Sequence, residues 1–280
     1  MSHDLTTKYI PAVDELFSSE SKKSLLTNTD YDWSGAHSVM IWKVSTAAMN
    51  DYKRHFGDDD GSNLSLYGPI QDLEHQTEEM LCSKDRSFIF SVDRLDCDET
   101  GEALDAKTAL ARQLREVVIP EVDTYTYGVM AAKAGTAPAA VTLTAENIYE
   151  QIVTGSQILD DGDVPDTRRV LVVTPATYRI MKQSSEIFLD CDISEEMRLK
   201  GVVAMVDGMA VVKIPANRLP EKFGFMIAHP SATVAPTKLE SYGTHPDTPL
   251  CDGGVVTGRI CYDAFVLENK AKGIYHQAIT

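Results

Sequence analysis

The stretch Gly254-Val-Val-Thr-Gly-Arg-Ile-Cys-Tyr-Asp-Ala-Phe-Val-Leu-Glu-Asn-Lys-Ala-Lys-Gly-Ile-Tyr275 constrains the fold more than any other part of this chain. Val255 and Val256, Ile260 to Tyr262, and Phe265 to Leu267 are β-branched, aromatic or aliphatic, which suits a pleated, half-buried surface. A chain that ends this way is tied into a core, because untethered termini fray.

Upstream, the pattern alternates between helix and strand. Val39-Met-Ile-Trp-Lys-Val44 and Ser87-Phe-Ile-Phe-Ser-Val92 read as strands, the second with Phe88, Phe90 and Val92 on one face. About forty residues separate them, carrying Asp58-Asp-Asp-Gly61 and Tyr67-Gly-Pro69 but few apolar side chains. An extended hairpin with so polar a tip is marginal alone and needs a partner surface. From Glu102 to Lys133, Leu110, Leu114, Val117, Val118, Val122, Tyr125 and Val129 recur at helical spacing. Pro120 lies inside that helix and is expected to bend it.

Thr144 reads as the N-cap of a second helix, with Glu146 in its first turn and Ile148, Ile152 and Leu159 on one side. The acidic loop Asp160-Asp-Gly-Asp-Val-Pro-Asp166 leads to Arg169-Val-Leu-Val-Val173, a strand buried on both faces. Thr174-Pro175 then opens another helix. Further strands fall at 201–206, 209–214 and 223–228, and Asp207-Gly208 makes the turn between the first two. Residues 1–35 are polar and read as an arm without its own core, anchored intermittently by Leu16, Phe17, Leu25 and Leu26. The class is α+β, without internal repeats.

With 280 residues and 43% hydrophobic content the chain can bury a core without disulfides or metals. Its charge is uneven: 26 Lys and Arg against 42 Asp and Glu give −16. Such a surface repels phosphate backbones, which argues against a dedicated nucleic-acid binder. It suits an acidic wall enclosing DNA, or plain solubility. Cys82, Cys97, Cys191, Cys251 and Cys261 form no Cys-x-x-Cys pair, which fits a reducing cytoplasm. The N-terminus lacks the apolar core of a signal peptide, and the apolar region 201–214 is too short to cross a bilayer. The expectation is a soluble chain, made in the cytoplasm, with no membrane partner.

Chemistry finds little support. Asp96-Cys-Asp-Glu-Thr-Gly101 opens like a calcium-binding loop, but Lys107 stands where the bidentate Glu belongs. The clusters at 58–60 and 160–166 read as solvated loops. The histidines show no zinc-type pairing, and no nucleophile elbow or phosphate-cradling loop occurs. No catalytic, cofactor or metal residue is assigned. The non-structural alternative is an acidic metal-dependent hydrolase.

The run Gly-Arg-x-x-Tyr-Asp-Ala-Phe-Val-Leu-x-Asn-Lys-x-x-Gly-Ile-Tyr that starts at Gly258 resembles the C-terminal end of tailed-phage major capsid proteins. Asp85-Arg-Ser-Phe-Ile-Phe-Ser-Val-Asp93 is similar to the returning strand of that family's E-loop, and Val118-Ile-Pro-Glu-Val-Asp123 to its spine helix. Arg168-Arg-Val-Leu-Val-Val-Thr-Pro-Ala-Thr-Tyr178, the run from Gly201 to Pro215, and Ile227-Ala-His-Pro230 continue the likeness in order.

The resemblance implies an HK97-like fold: an N-terminal arm (1–35), an extended hairpin or E-loop (36–98), a peripheral domain with the spine helix (99–140), an axial domain (141–250), and C-terminal strands returning to the peripheral domain (251–280). It implies a structural protein that self-assembles into hexamers and pentamers of an icosahedral head, enclosing double-stranded DNA without reading its sequence. A portal is the further partner it implies, and no cofactor. Because only about 35 residues precede the first strand, a separate scaffolding protein is expected. A cellular encapsulin-like shell is the near alternative.

In the hairpin, Lys53, Arg54, Asp58, Asp59 and Asp60 are candidates for setting register between subunits, because surface ion pairs contribute only about 0–1 kcal/mol each. Leu64, Leu66 and Tyr67 are the candidate apolar contacts.

Overall fold

The computed structural model describes residues 21–28, 38–44, 47–54, 65–70, 72, 75–99, 106–185, 187, 201–245, 251 and 253–280. Two units emerge, Gly35–Leu81 and a larger one formed by Met1–Ser34 with Cys82–Thr280.

In the smaller unit, β1 (Ser38–Val44) pairs antiparallel with β2 (His75–Leu81), in register from Ser38↔Leu81 to Val44↔His75. The sequence reading closed this hairpin with Ser87-Phe-Ile-Phe-Ser-Val92. That strand belongs instead to the larger unit. The true partner, His-Gln-Thr-Glu-Glu-Met-Leu, escapes notice because its first five residues are polar and only Thr77 among them favours strands.

In the larger unit, β3 (Lys84–Asp93) runs into a short helix α1 (Arg94–Glu99). The long helical pattern appears as α2 (Ala106–Gln113), a π-turn (Leu114–Val118) and α3 (Ile119–Ala132) without a break between them. The disturbance foreseen at Pro120 takes the form of that π-turn. A proline ring collides with the carbonyl four residues back in α geometry, and that carbonyl belongs to Glu116, inside the widened turn.

After α4 (Ile148–Asp161) come β4 (Val170–Val173), α5 (Pro175–Gln183), β5 (Val202–Val206), β6 (Met209–Lys213), β7 (Phe223–Ala228), β8 (Thr233–Val234), β9 (Thr237–His245), β10 (Gly253–Tyr262), β11 (Phe265–Val266) and β12 (Ile274–Ala278). The N-cap expected at Thr144 is corrected. The Asn147 carboxamide accepts from the Thr144 N–H at 2.8 Å and donates to the Thr142 carbonyl at 2.9 Å, so a turn forms first and the helix starts at Ile148. At α5 the expected cap is present: Thr174 Oγ1 accepts from the Thr177 N–H at 3.0 Å, with Pro175 beside it.

The five-stranded sheet has the order β12-β7-β4-β6-β5, with β4 and β6 parallel. Central β4 is buried along its whole length. Side-chain alternation sorts the core into two layers. Val170, Val172, Val212, Met226 and Ile274 pack with Tyr127 and Met130 of α3, and with Leu26. Leu171, Val173, Val211, Ile227 and Tyr275 pack with Ile148, Ile152 and Leu159 of α4, and with Met181 of α5. Val202 belongs to the first layer and Ala204 to the second, because a bulge between them reverses the alternation. Asp207 and Gly208 turn between β5 and β6 at φ 47° and 75°, as a two-residue hairpin requires.

A separate three-stranded sheet has the order β3-β10-β9. The C-terminal run therefore divides. β10 forms the middle of this sheet, while β12 extends the five-stranded one and packs Ile274 against Tyr127 and Met130 of α3. Residues 21–28 are stitched down: Leu26 is fully buried, and the Asn28 N–H reaches the Thr233 carbonyl at 2.8 Å.

Candidate interaction surface

The loop of the hairpin unit concentrates exposed apolar surface. Its limbs meet where the Lys53 N–H donates to the Leu66 carbonyl at 3.0 Å. The Tyr52 and Tyr67 rings stand edge to face, centroids 5.0 Å apart. Ser65 closes a tight turn, its carbonyl accepting from Gly68 N–H and its Oγ from Tyr67 N–H. Tyr67 is nevertheless 77% exposed, Ile70 86% and Met49 98%. A large apolar side chain so open to water loses the stabilisation that burial would give, roughly 1.5–3 kcal/mol each.

Of the residues chosen from sequence, Lys53, Leu66 and Tyr67 come together in this loop, and Arg54 is exposed beside them. Asp58, Asp59, Asp60 and Leu64 lie outside the described residues. Sequence reasoning missed Met49, Tyr52 and Ile70. The signal was a single large apolar residue among small or polar neighbours, which carries no period to notice.

The larger unit's polar networks hold architecture together. Asp263, 5% exposed, accepts from the Tyr125 hydroxyl, the Ser83 N–H and hydroxyl, and the Ala264 N–H, all within 2.8 Å. Burial, then that bond to Asp263, pushes the Tyr125 phenol up to about 12. Glu121 accepts from Arg86 at 2.7 Å and from the Tyr262 hydroxyl at 3.2 Å, and Tyr262 is raised to about 12 by burial first and Glu121 second. With Val122, Ile260 and Tyr262 packed together, these bonds fix α3 onto the three-stranded sheet. A phenol near 12 stays protonated at neutral pH, so both tyrosines act as fixed donors.

Arg94–Glu99 is helical, so the calcium-loop candidate at 96–101 begins inside α1. Among the described residues, no group of three or more His, Cys, Asp or Glu is placed to hold a metal ion. No described helix is long and apolar enough to cross a membrane.

No protein-family model and no curated protein matches the sequence. Solved structures do match in fold. A chain from Mycobacterium phage Che8 superposes with a TM-score of 0.72 at 17% identity, over 97% of this chain and 94% of that one. A chain from the capsid structure of cyanophage P-SCSP1u gives 0.71 at 12% identity, over 94% and 89%. A chain from the asymmetric unit of the bacteriophage PhiM1 mature capsid gives 0.62 at 15% identity, over 88% and 82%.

Proposed function

We propose that this chain, which has the fold of phage capsid subunits, is the major capsid protein of a tailed phage and builds its head by self-assembly. The observation that carries this reading is a fold likeness extending over nearly the whole of both chains, at identities too low for local motifs to produce it. The α+β class and coat-protein fold implied by the C-terminal run agree with it.

In this reading the subunits form hexamers and pentamers of an icosahedral shell around double-stranded DNA, with a scaffolding protein and a portal as partners. The chain acts structurally and not as an enzyme, is made in the host cytoplasm and resides in the virion. The hairpin loop supports the reading physically: Met49, Tyr52, Tyr67 and Ile70 offer the apolar anchors on which interfaces depend. Charge of −16 on each subunit keeps the wall from binding the DNA it encloses.

Electron microscopy of the expressed chain, with and without its neighbouring phage genes, tests this. Closed shells or ring-shaped capsomers are expected. A small, discrete oligomer that never forms either would overturn the reading.

A further inference from the structure

Two lysines converge on one tyrosine in this acidic chain, and a third is bonded to the backbone of one of them. Lys182 Nζ lies 5.1 Å from the centre of the Tyr178 ring, and Lys213 Nζ lies 5.8 Å from it. Lys22 Nζ donates to the carbonyl of Lys213 at 2.9 Å and to that of Gly201 at 3.4 Å. Burial, with Lys213 and Arg218 nearby, lowers the Lys22 pKa below its ordinary value.

The contrast with the arginines is what matters. Arg86, Arg112, Arg169, Arg218 and Arg259 each hold a carboxylate of this chain. Among the described residues, Lys22, Lys182 and Lys213 have carbonyls and a ring face as partners, and no carboxylate. Gathering ammonium groups costs Coulomb energy that an aromatic face offsets only in part.

The opposite charge stands at the other end of the same sheet. β6 ends at Lys213, in register with Val173, while the loop after α4 enters β4 at Val170. Roughly 10 Å of strand separates those ends, at about 3.3 Å per residue. At the end of α4 and in that loop Asp161, Asp163 and Asp166 are exposed; of the two arginines that follow, Arg168 is exposed and Arg169 is buried and engages Asp160.

We infer that the Tyr178–Lys182–Lys213 patch receives the Asp161–Asp166 loop of a second copy of this chain. One subunit's basic end meets the next one's acidic end. A contact between two different surfaces repeats head to tail and closes into a ring when the rotation closes. This rests on the capsid reading and adds to it the charged contact that sets neighbours in order around a ring. The patch acts on register and association, where complementary charge is most effective.

The test is charge reversal in the full chain, read by native mass spectrometry and sedimentation of rings and shells, with circular dichroism as the folding control. K182E/K213E should lower ring formation by about tenfold or more at physiological salt. D161K/D163K/D166K, which alters only exposed residues at the end of α4 and in the loop after it, should do the same. The chain carrying all five substitutions should recover assembly, because each contact is again complementary.

A folded K182E/K213E chain that assembles like the unaltered one overturns this contact and leaves the capsid reading standing. So does a five-substitution chain that stays unassembled while D161K/D163K/D166K alone assembles. Retention of duplex DNA that depends on Lys182 and Lys213 also overturns it, assigning the patch to nucleic acid. An unaltered chain that never assembles overturns both.

Discussion

Arg218 donates from Nη1 to Asp123 Oδ2 at 3.1 Å, and both residues are almost wholly buried. The Ser21 hydroxyl bonds the other carboxylate oxygen at 2.6 Å, so α3, the turn before β7 and the N-terminal segment meet at one acid. Burial nevertheless holds the Asp123 pKa above its ordinary value, outweighing Ser21 and Arg218. Removing Asp123 takes a carboxylate away from a buried guanidinium. Asp123→Ala is expected to cost about 3–5 kcal/mol in denaturant unfolding. The double change D123L/R218M should cost much less, and equal losses in both would show that charge pairing is not the cause.

Gly258 sits opposite Phe88 on one side and Tyr242 on the other, and the Phe88 ring occupies the space a β-carbon would need. The Phe88 and Tyr242 rings stack across it, centroids 6.3 Å apart. Gly258→Val should destabilise by about 1–3 kcal/mol through overpacking. Phe88→Ala in the same chain should recover part of that loss, because the two sites share one space. Strictly additive losses in thermal unfolding would contradict this account.

Burial depresses the pKa of His276 and His229 below the ordinary 6.5, with Arg168, Arg169 and Lys270 adding to the effect at His229. The folded state keeps these rings neutral, while the unfolded chain takes up protons below about pH 6.5. Their contribution to stability is therefore complete above that value and is lost as the pH falls through the depressed folded values. Melting temperature should drop between pH 7 and pH 5. His276→Phe, which keeps an aromatic ring against Phe223, should flatten that acid limb; an unchanged limb would rule out His276.

Tyr67 and Ile70 are exposed in the hairpin loop, so Y67S/I70S should change subunit stability by no more than about 0.5 kcal/mol. The same chain should fail to form shells, because its apolar anchors are gone. Deleting residues 55–66 should have the same outcome, a soluble folded subunit. Normal particles from either variant, seen by electron microscopy, would remove the hairpin as the joining element.

Local physics in the sequence determined a good deal here. Continuous apolar character placed β4, helical spacing placed the long helix through Pro120, and Thr174 with Pro175 placed the start of α5. Each depends on neighbours within a few residues. The candidate surface was legible only in part, through Lys53, Leu66 and Tyr67, since exposure of Met49 and Ile70 depends on what surrounds them.

Tertiary structure alone decided which strands pair and which charges meet. Strand pairing is set by hydrogen bonds between distant segments, so His75–Leu81, not the more apolar Lys84–Asp93, became the partner of Ser38–Val44. The partnership of Asp123 with Arg218, the meeting of Lys182 and Lys213 at the Tyr178 ring, and the bond from Lys22 to the Lys213 carbonyl join residues far apart in the chain. No period or spacing encodes such meetings, because they form only when packing of the sheet and its two helical layers brings the segments together.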